Sequence, residues 1–301
     1  MHIQSIGIMS PGSMGEALAR QLKSKHYKIL TALDNRSTRT AQLSADAGII
    51  NVGSLIELTR QADLIISIMN PGFARSFAEE LAQAMQCTGI KPLLLDCNAI
   101  SPDTMKAIHK TMQAVGASCL DGAMMGPPPH ATQSSRLFVS GPNADELCAL
   151  STPQLTVLAL SDRLGDASAI KLCDAVMSKG ITALMTQMLM VAQRLGVEPL
   201  LREQCEGPRR YFYDWIIKTL PIAPSKSYRW VPELEEMAHT FESVGIPAQM
   251  IRGAIEVYDQ MAKTPLGKQA PEERNPLIDG LEVARQMCTH AFNTPLNKSP
   301  S

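Results

Sequence analysis

Five groups of residues have the types and spacing to do chemistry. The run Gly7-Ile8-Met9-Ser10-Pro11-Gly12-Ser13-Met14-Gly15 follows an apolar stretch and opens a helical pattern. A turn so placed leaves the first amides of a helix unpaired. Those amides, with the positive end of the helix dipole, can hold a pyrophosphate. Gly12 would let the backbone approach a dinucleotide, and Gly15 would let the helix pack close to the strand. Ser10 stands where the dinucleotide fingerprint has its first glycine. Ser10, Pro11, Gly12, Ser13 and Met14 are the candidate phosphate contacts; the competing reading is a glycine-rich turn without a ligand.

The second group is Asp34-Asn35-Arg36-Ser37, where a ribose-reading residue belongs. A carboxylate at Asp34 would accept the ribose hydroxyls of NAD. A guanidinium at Arg36 with the Ser37 hydroxyl would hold the 2′-phosphate of NADP. Asn35, Arg36 and Ser37 favour NADP, with NAD left open. The third group, Met69-Asn70-Pro71-Gly72 and Asp96-Cys97-Asn98, falls where strands end, the edge at which doubly wound sheets bind ligands. Ordinary turn chemistry explains the same residue types. The fourth, Gly122-Ala123-Met124 through Pro127-Pro128-Pro129-His130, reads as a stiff loop that could wall a pocket, with His130 at the surface. The fifth is Lys171, among small and apolar neighbours, where desolvation would lower its pKa toward proton transfer. Asp174, three residues on, lies on much the same helical face.

The elements that must position these residues alternate through the first half. Apolar runs at 3–9, 28–33, 50–52, 64–69, 92–96, 118–121 and 137–140 read as strands. Helical patterns at 13–24, 38–47, 54–60, 73–85 and 102–115 separate the first six. Such alternation predicts an α/β fold, a doubly wound, mostly parallel Rossmann-type sheet covered on both faces. The second half reads as all-α: one long helix over 166–195, then helices at 232–243, 247–261 and 276–290, each opened by proline. The expected domains are residues 1–163 and 164–301, with 293–301 a loose polar tail.

Composition narrows the function classes. A net charge of −1 over 301 residues gives no basic surface for nucleic acid or an anionic membrane. No unbroken apolar run approaches the ~20 residues of a membrane span, and no basic region precedes the first strand as in a signal peptide. Seven scattered cysteines without a paired spacing point to reduced, mostly buried thiols in a reducing, cytoplasmic setting. No Cys/His spacing suits a metal. The expected partner is a small-molecule substrate. The apolar long helix, with Met177, Met185, Met188 and Met190, fits a core or a homodimer seam.

Together these groups resemble the β-hydroxyacid dehydrogenase superfamily, which includes the 3-hydroxyisobutyrate, tartronate semialdehyde and 6-phosphogluconate dehydrogenases. The match runs from Gly7 to about Gly196. Gly12 to Gly15 is similar to the family's glycine motif, Asp96 to Pro102 and Asp121 to Gly126 to its substrate loops, and Gly165 to Lys171 to the stretch bearing its lysine. The remainder, including Tyr211 to Trp215, resembles a branch carrying the domain of unknown function 1932. The resemblance implies an NAD(P)-dependent dehydrogenase or reductase acting on CH–OH groups. Lys171 would shuttle the proton, while Asn98, Gly122, Ala123, Met124 and Asp174 would hold substrate and Met69, Asn70, Pro71 and Asn98 would line the nicotinamide. Ser10 replaces a glycine, Asn98 stands where many relatives have serine, and Ala175 replaces an asparagine. The last change points away from simple 3-hydroxyisobutyrate chemistry. An imine reductase and a catalytically silent NADP-binding sensor are the alternatives.

Overall fold

The structure, a computed structural model, describes residues 2–290. Short runs of aliphatic residues, the pattern of strands buried on both faces, form β1 (Ser5–Met9), β2 (Lys28–Thr31), β3 (Ile50–Asn51), β4 (Leu64–Ser67), β5 (Leu93–Asp96), β6 (Cys119–Met125), β7 (Ser135–Ser140) and β8 (Leu155–Ser161). They make one sheet in the order β3-β2-β1-β4-β5-β6-β7-β8. β1 to β6 are parallel, β7 is antiparallel to β6, and β8 runs parallel to β7. The first six strands follow the doubly wound order, with its switch point between β1 and β4.

The connecting helices are α1 (Ser13–Lys23), α2 (Thr38–Asp46), α3 (Leu55–Gln61), α4 (Ala74–Thr88) and α5 (Pro102–Ala114). Ser37, Ser54 and Ser101 accept hydrogen bonds from the third residues of α2, α3 and α5, caps worth about 1 kcal/mol each. Alternation along β4 splits the core. Leu64 and Ile66 pack with Leu18 and Leu22 of α1, while Ile65 packs with Phe77 and Leu81 of α4.

β8 has no counterpart in the sequence reading. It is an edge strand whose buried Leu155 and Val157 alternate with exposed Thr156 and Leu158. β6 and β7 are also longer than expected. Gly122, Ala123 and Met124, read as loop, are buried strand residues, and the turn begins only at Gly126.

Compact units part between Cys173 and Asp174, where the sequence placed the boundary at 163/164. The chain enters α6 (Asp166–Ala175), makes a π-helical turn at 176–180, and continues as α7 (Ile181–Arg194). At 29 residues, the combined helix is long and apolar enough, by length and composition alone, to cross a membrane. Lys171, Asp174 and Lys179 interrupt its apolar run, so its length does not show as an unbroken stretch in the sequence.

The helical unit continues with α8 (Glu198–Gln204), α9 (Gly207–Thr219), α10 (Ser227–Ser243), α11 (Gln249–Lys263) and α12 (Gly280–His290). Proline misled the boundaries here. α10 starts at Ser227 and carries Pro232 inside it, because short 3-10 turns at 220–222 and 224–226 lead into the helix. Pro247 and Pro276 precede α11 and α12 rather than opening them. Within this unit Lys179 and Glu233, each 8% exposed, pair at 2.6 Å, and the Tyr258 hydroxyl donates to the Lys179 carbonyl. The expected tail at 293–301 lies outside the described residues.

All seven cysteines are free, but only Cys97 and Cys119 are buried, while Cys87 and Cys173 are exposed. The expectation of mostly buried thiols fails because the other cysteines lie on helices or turns that face solvent on one side.

Gly15 sets the distance between α1 and the sheet. A Cβ there would lie 3.1 Å from Ile68 Cγ2 and 3.4 Å from Ile8 Cγ2. A Gly15→Val variant is therefore expected to lose about 1–3 kcal/mol by overpacking, read as a lower denaturant midpoint.

Candidate active site

The pairing register lays one polar row across an otherwise apolar sheet. Met9 pairs with Ser67, Ser67 with Asp96, Asp96 with Asp121, and Asp121 with Ser140. Ser67, Asp96, Asp121 and Ser140 are all buried. The row crosses the carboxyl ends of β1, β4 and β5, so the residues after it form the edge where this fold binds ligands.

Two buried carboxylates on neighbouring strands oppose each other's ionisation. Burial pushes the Asp96 carboxyl up to about 7, and the Asp121 charge adds to the effect, while hydrogen bonds from Asn98 and Ser67 oppose it. Burial also raises Asp121, against bonds from Ser168, Ser140 and Gly165. The thiols beside them rise too: Cys119 reaches about 12 by burial with the Asp96 and Asp121 charges behind it, and Cys97 is held well above its ordinary range for the same reasons.

Asp121 docks the start of α6. Its carboxylate accepts from the Ser168 amide at 2.9 Å, the Ser168 hydroxyl at 2.6 Å and the Ser140 hydroxyl at 3.0 Å. Ser140 Oγ accepts in turn from the Ala167 amide at 3.0 Å. A carboxylate at a helix amino end is favoured by both the free amides and the dipole. One turn later Lys171 Nζ donates to the Met124 carbonyl at 2.8 Å, near the carboxyl end of β6.

Asn98 serves differently from the expectation. Its Nδ2 donates to Ser67 Oγ at 2.8 Å and Asp96 Oδ2 at 2.9 Å, and its Oδ1 accepts from the Met69 amide at 2.6 Å. Both amide hydrogens are spent, so the side chain ties the end of β4 to the end of β5 and has no donor left for a substrate. Asn70 likewise caps the turn at Pro71–Phe73 through the Gly72 amide. Asp174 is exposed and belongs to the helical unit, and His130 is exposed.

At the dinucleotide turn, Ser10 adopts φ +60°, the left-handed region that glycine enters freely. Among the described residues, no side chain caps α1, and a Cβ on Gly12 would meet nothing within 4 Å. Open space beside uncapped amides suits a pyrophosphate. Asn35 also has positive φ, at 59°, turning the chain so that the Arg36 amide bonds the Leu33 carbonyl. Among the described residues, Arg36 Nε is buried without a hydrogen-bond partner, an orphan that a phosphate oxygen would satisfy. Sequence reasoning missed Arg39, whose guanidinium donates to Ser13 Oγ at 3.1 Å and links the starts of α1 and α2. Its signal was a second arginine three residues after Arg36. A cavity of about 390 Å³, lined by His109, Cys119, Asn143 and Glu146 among others, opens at the opposite, amino-terminal end of β5 and β6, away from these groups.

The Asp96 shift fixes a sign. Between the ordinary carboxylate range and about pH 7, the folded chain keeps a proton on Asp96 that the unfolded chain has lost. Asp96 therefore lowers stability as pH rises through that window. In Asp96→Asn the group no longer titrates, so the unfolding free energy of the variant minus that of the parent is expected to increase between about pH 5 and pH 7. Denaturant titrations across the range check it, and a constant difference contradicts it.

Comparisons with known proteins agree with this geometry. The family described as the NAD binding domain of 6-phosphogluconate dehydrogenase matches residues 5–158, and the domain of unknown function 1932 matches residues 192–261. An uncharacterized 28.5 kDa protein of Methanothermus fervidus is 24% identical over 208 residues, 68% of this chain and 78% of that protein. The mitochondrial 3-hydroxyisobutyrate dehydrogenase of Drosophila melanogaster is 27% identical over 140 residues, 46% of this chain and 42% of that enzyme. A solved conserved protein of unknown function, described as structurally similar to 3-hydroxyacid dehydrogenases, superposes with a TM-score of 0.63 at 25% identity, covering 86% of this chain and 96% of that one.

Proposed function

Because this chain belongs to the family of the NAD binding domain of 6-phosphogluconate dehydrogenase, we propose that it is an NADP-dependent oxidoreductase interconverting a β-hydroxy acid, or a related alcohol, with its carbonyl form. The observation that carries this reading is Lys171 held at the carboxyl end of β6 by the Met124 carbonyl, on a helix docked by Asp121. A bound nicotinamide would supply or accept the hydride.

The chain's own residues would do the rest. The amides at Ser13 and Met14, after Ser10, Pro11 and Gly12, would hold the pyrophosphate. Arg36, with Asn35 and Ser37, would hold the 2′-phosphate, its unpaired Nε gaining an acceptor. Met69, Asn70 and Pro71 would border the nicotinamide. In reduction, Lys171 Nζ gives its proton to the substrate oxygen as hydride reaches the carbon; in oxidation it takes that proton back. Asn98 would act as a positioning residue, since its donors are used within the fold.

The same reading makes the protein a cytoplasmic homodimer acting on a small molecule, without nucleic acid or membrane partners. The support for the dimer is an exposed apolar stripe on the long helix, Met177, Leu184 and Val191 at heptad spacing, continued by Leu195.

Turnover of NADPH against a panel of β-keto acids, semialdehydes and imines tests the function. Lys171→Ala is expected to lower kcat about 100-fold or more with NADPH affinity little changed. Imines as the only substrates would transfer the protein to the imine reductases, and binding without turnover in the parent would make it a sensor. Arg36→Gln is expected to weaken NADPH about tenfold or more, as loss of a charged hydrogen bond does, while leaving NADH unaffected. Tighter binding of NADH than NADPH by the parent would overturn the NADP assignment.

A further inference from the structure

The residues expected to hold the substrate leave one of its two polar groups without a donor. Asn98 spends both amide hydrogens on Ser67 and Asp96, and Gly122, Ala123 and Met124 are buried strand residues. Lys171 serves the hydroxyl or carbonyl oxygen. A β-hydroxy acid also carries a carboxylate, separated from that centre by a single carbon, and the carboxylate needs a partner of its own.

The strand register supplies one. Asp121 and Ser140 are a cross-strand pair whose side chains both bond the start of α6, through Ser168 and Ala167. They mark the face of the sheet on which α6 begins. Side chains two residues apart on a strand share a face. Ala123 and Met125 on β6 therefore lie on it, as do Phe138 and Arg136, their partners on β7. The alternate residues Met124 and Leu137 belong to the core on the other face, with Leu18 and Leu22. Arg136 thus stands directly across from Met125, the neighbour of the residue whose carbonyl holds Lys171 Nζ at 2.8 Å. The Cβ atoms of such a pair lie about 4.5–5.5 Å apart, less than the length of an arginine side chain.

Arg136 is exposed, and among the described residues its guanidinium makes no hydrogen bond or ion pair. The one acid on β6, β7 or β8 is Asp121, already engaged with Ser168 and Ser140. Between Asp121 and Asp145, Arg136 is the only Asp, Glu, Lys or Arg, and none lies between Glu146 and Asp162. Its partner on β8 is the neutral Thr156. Asp166 on α6 is taken by Arg163 at 2.8 Å. The base of the side chain is fixed, because the preceding Ser135 donates its amide to the Gln154 carbonyl at 2.9 Å and its hydroxyl to the Pro127 carbonyl. A guanidinium with unspent donors on a fixed base matches the two oxygens of a carboxylate.

We infer that Arg136 is the residue that binds the substrate's carboxylate, and that it makes the site selective for β-hydroxy and β-keto acids over neutral alcohols and imines. That the carboxylate belongs to a hydride-transfer substrate rests on the function proposed above; binding of the anion at Arg136 does not.

Calorimetric titration of 3-hydroxybutyrate into the full chain tests the assignment. The comparison is 1,3-butanediol, which keeps the carbon chain and the hydroxyl but has no charge. Both titrations are run with and without saturating NADP. The acid is expected to bind more tightly than the diol in both arms. Arg136→Gln is expected to weaken the acid about tenfold to a hundredfold, as loss of a charged hydrogen bond does, and to leave the diol unchanged. Arg136→Lys, which keeps the charge without the planar fork, is expected to fall between. In NADPH oxidation by β-keto acids, Arg136→Gln is expected to raise KM by the same factor with kcat close to the parent's, the pattern of lost uniform binding.

No heat from the acid, equal acid affinity in parent and Arg136→Gln, or equal losses of acid and diol overturns the assignment. Acid binding that NADP abolishes would give Arg136 to the cofactor and overturn its role toward the substrate. If the acid binds through Arg136 but no carbonyl compound oxidises NADPH, the hydride-transfer reading falls alone. If β-keto acids turn over with the same KM in parent and Arg136→Gln, that reading stands and the Arg136 assignment falls.

Discussion

A single buried carboxylate couples the sheet to the helix that bears the lysine. Asp121 stands in the polar row of the sheet and accepts two bonds from Ser168 and one from Ser140. Without acceptors there, the first amides of α6 would be buried and unpaired, at a cost of about 1–3 kcal/mol each. The helix start is therefore fixed by hydrogen-bond necessity as well as by apolar contact, and Lys171 inherits its place from that start. The neighbouring Asp96 makes the arrangement expensive, since adjacent parallel strands lie only about 4.8 Å apart. The bonds from Asn98 and from the serines are what allow two acids to persist side by side.

The nucleotide end of the same unit rests on a different economy. Apolar packing, set by Gly15 against Ile8 and Ile68, brings α1 close to the sheet and leaves its amino end uncapped. Arg39 bridges from α2 to Ser13, so the starts of α1 and α2, with the turns after β1 and β2 that lead into them, are tied together. Electrostatic pre-organisation of this kind lets a charged ligand bind with little rearrangement.

Much of this was legible in the sequence. The strand–turn–helix at Gly7 to Gly15, the alternation through α5 and the helical second half follow from apolar periodicity and glycine placement. The residues at each turn could be named before any coordinates. The role of Asn98 could not, because its partners Ser67 and Met69 sit at and just beyond the end of another strand and its neighbour Asp96 reads as an ordinary turn acid. β8 was hidden because an edge strand shows solvent on alternate residues and its run ends at a polar boundary. Pro232 was misread because proline at a first turn and proline a turn deeper look alike when the preceding 3-10 turns carry no periodic signal.

The torsion at Ser10 has a consequence for how this turn can change over evolutionary time. Its φ of +60° shows that the glycine of the fingerprint answers a dihedral demand, and that demand can be met by another side chain for roughly 1–3 kcal/mol of backbone strain. The site therefore tolerates drift between glycine and small polar residues without losing its shape. What each exchange trades is conformational ease against a hydroxyl lying beside bound anions.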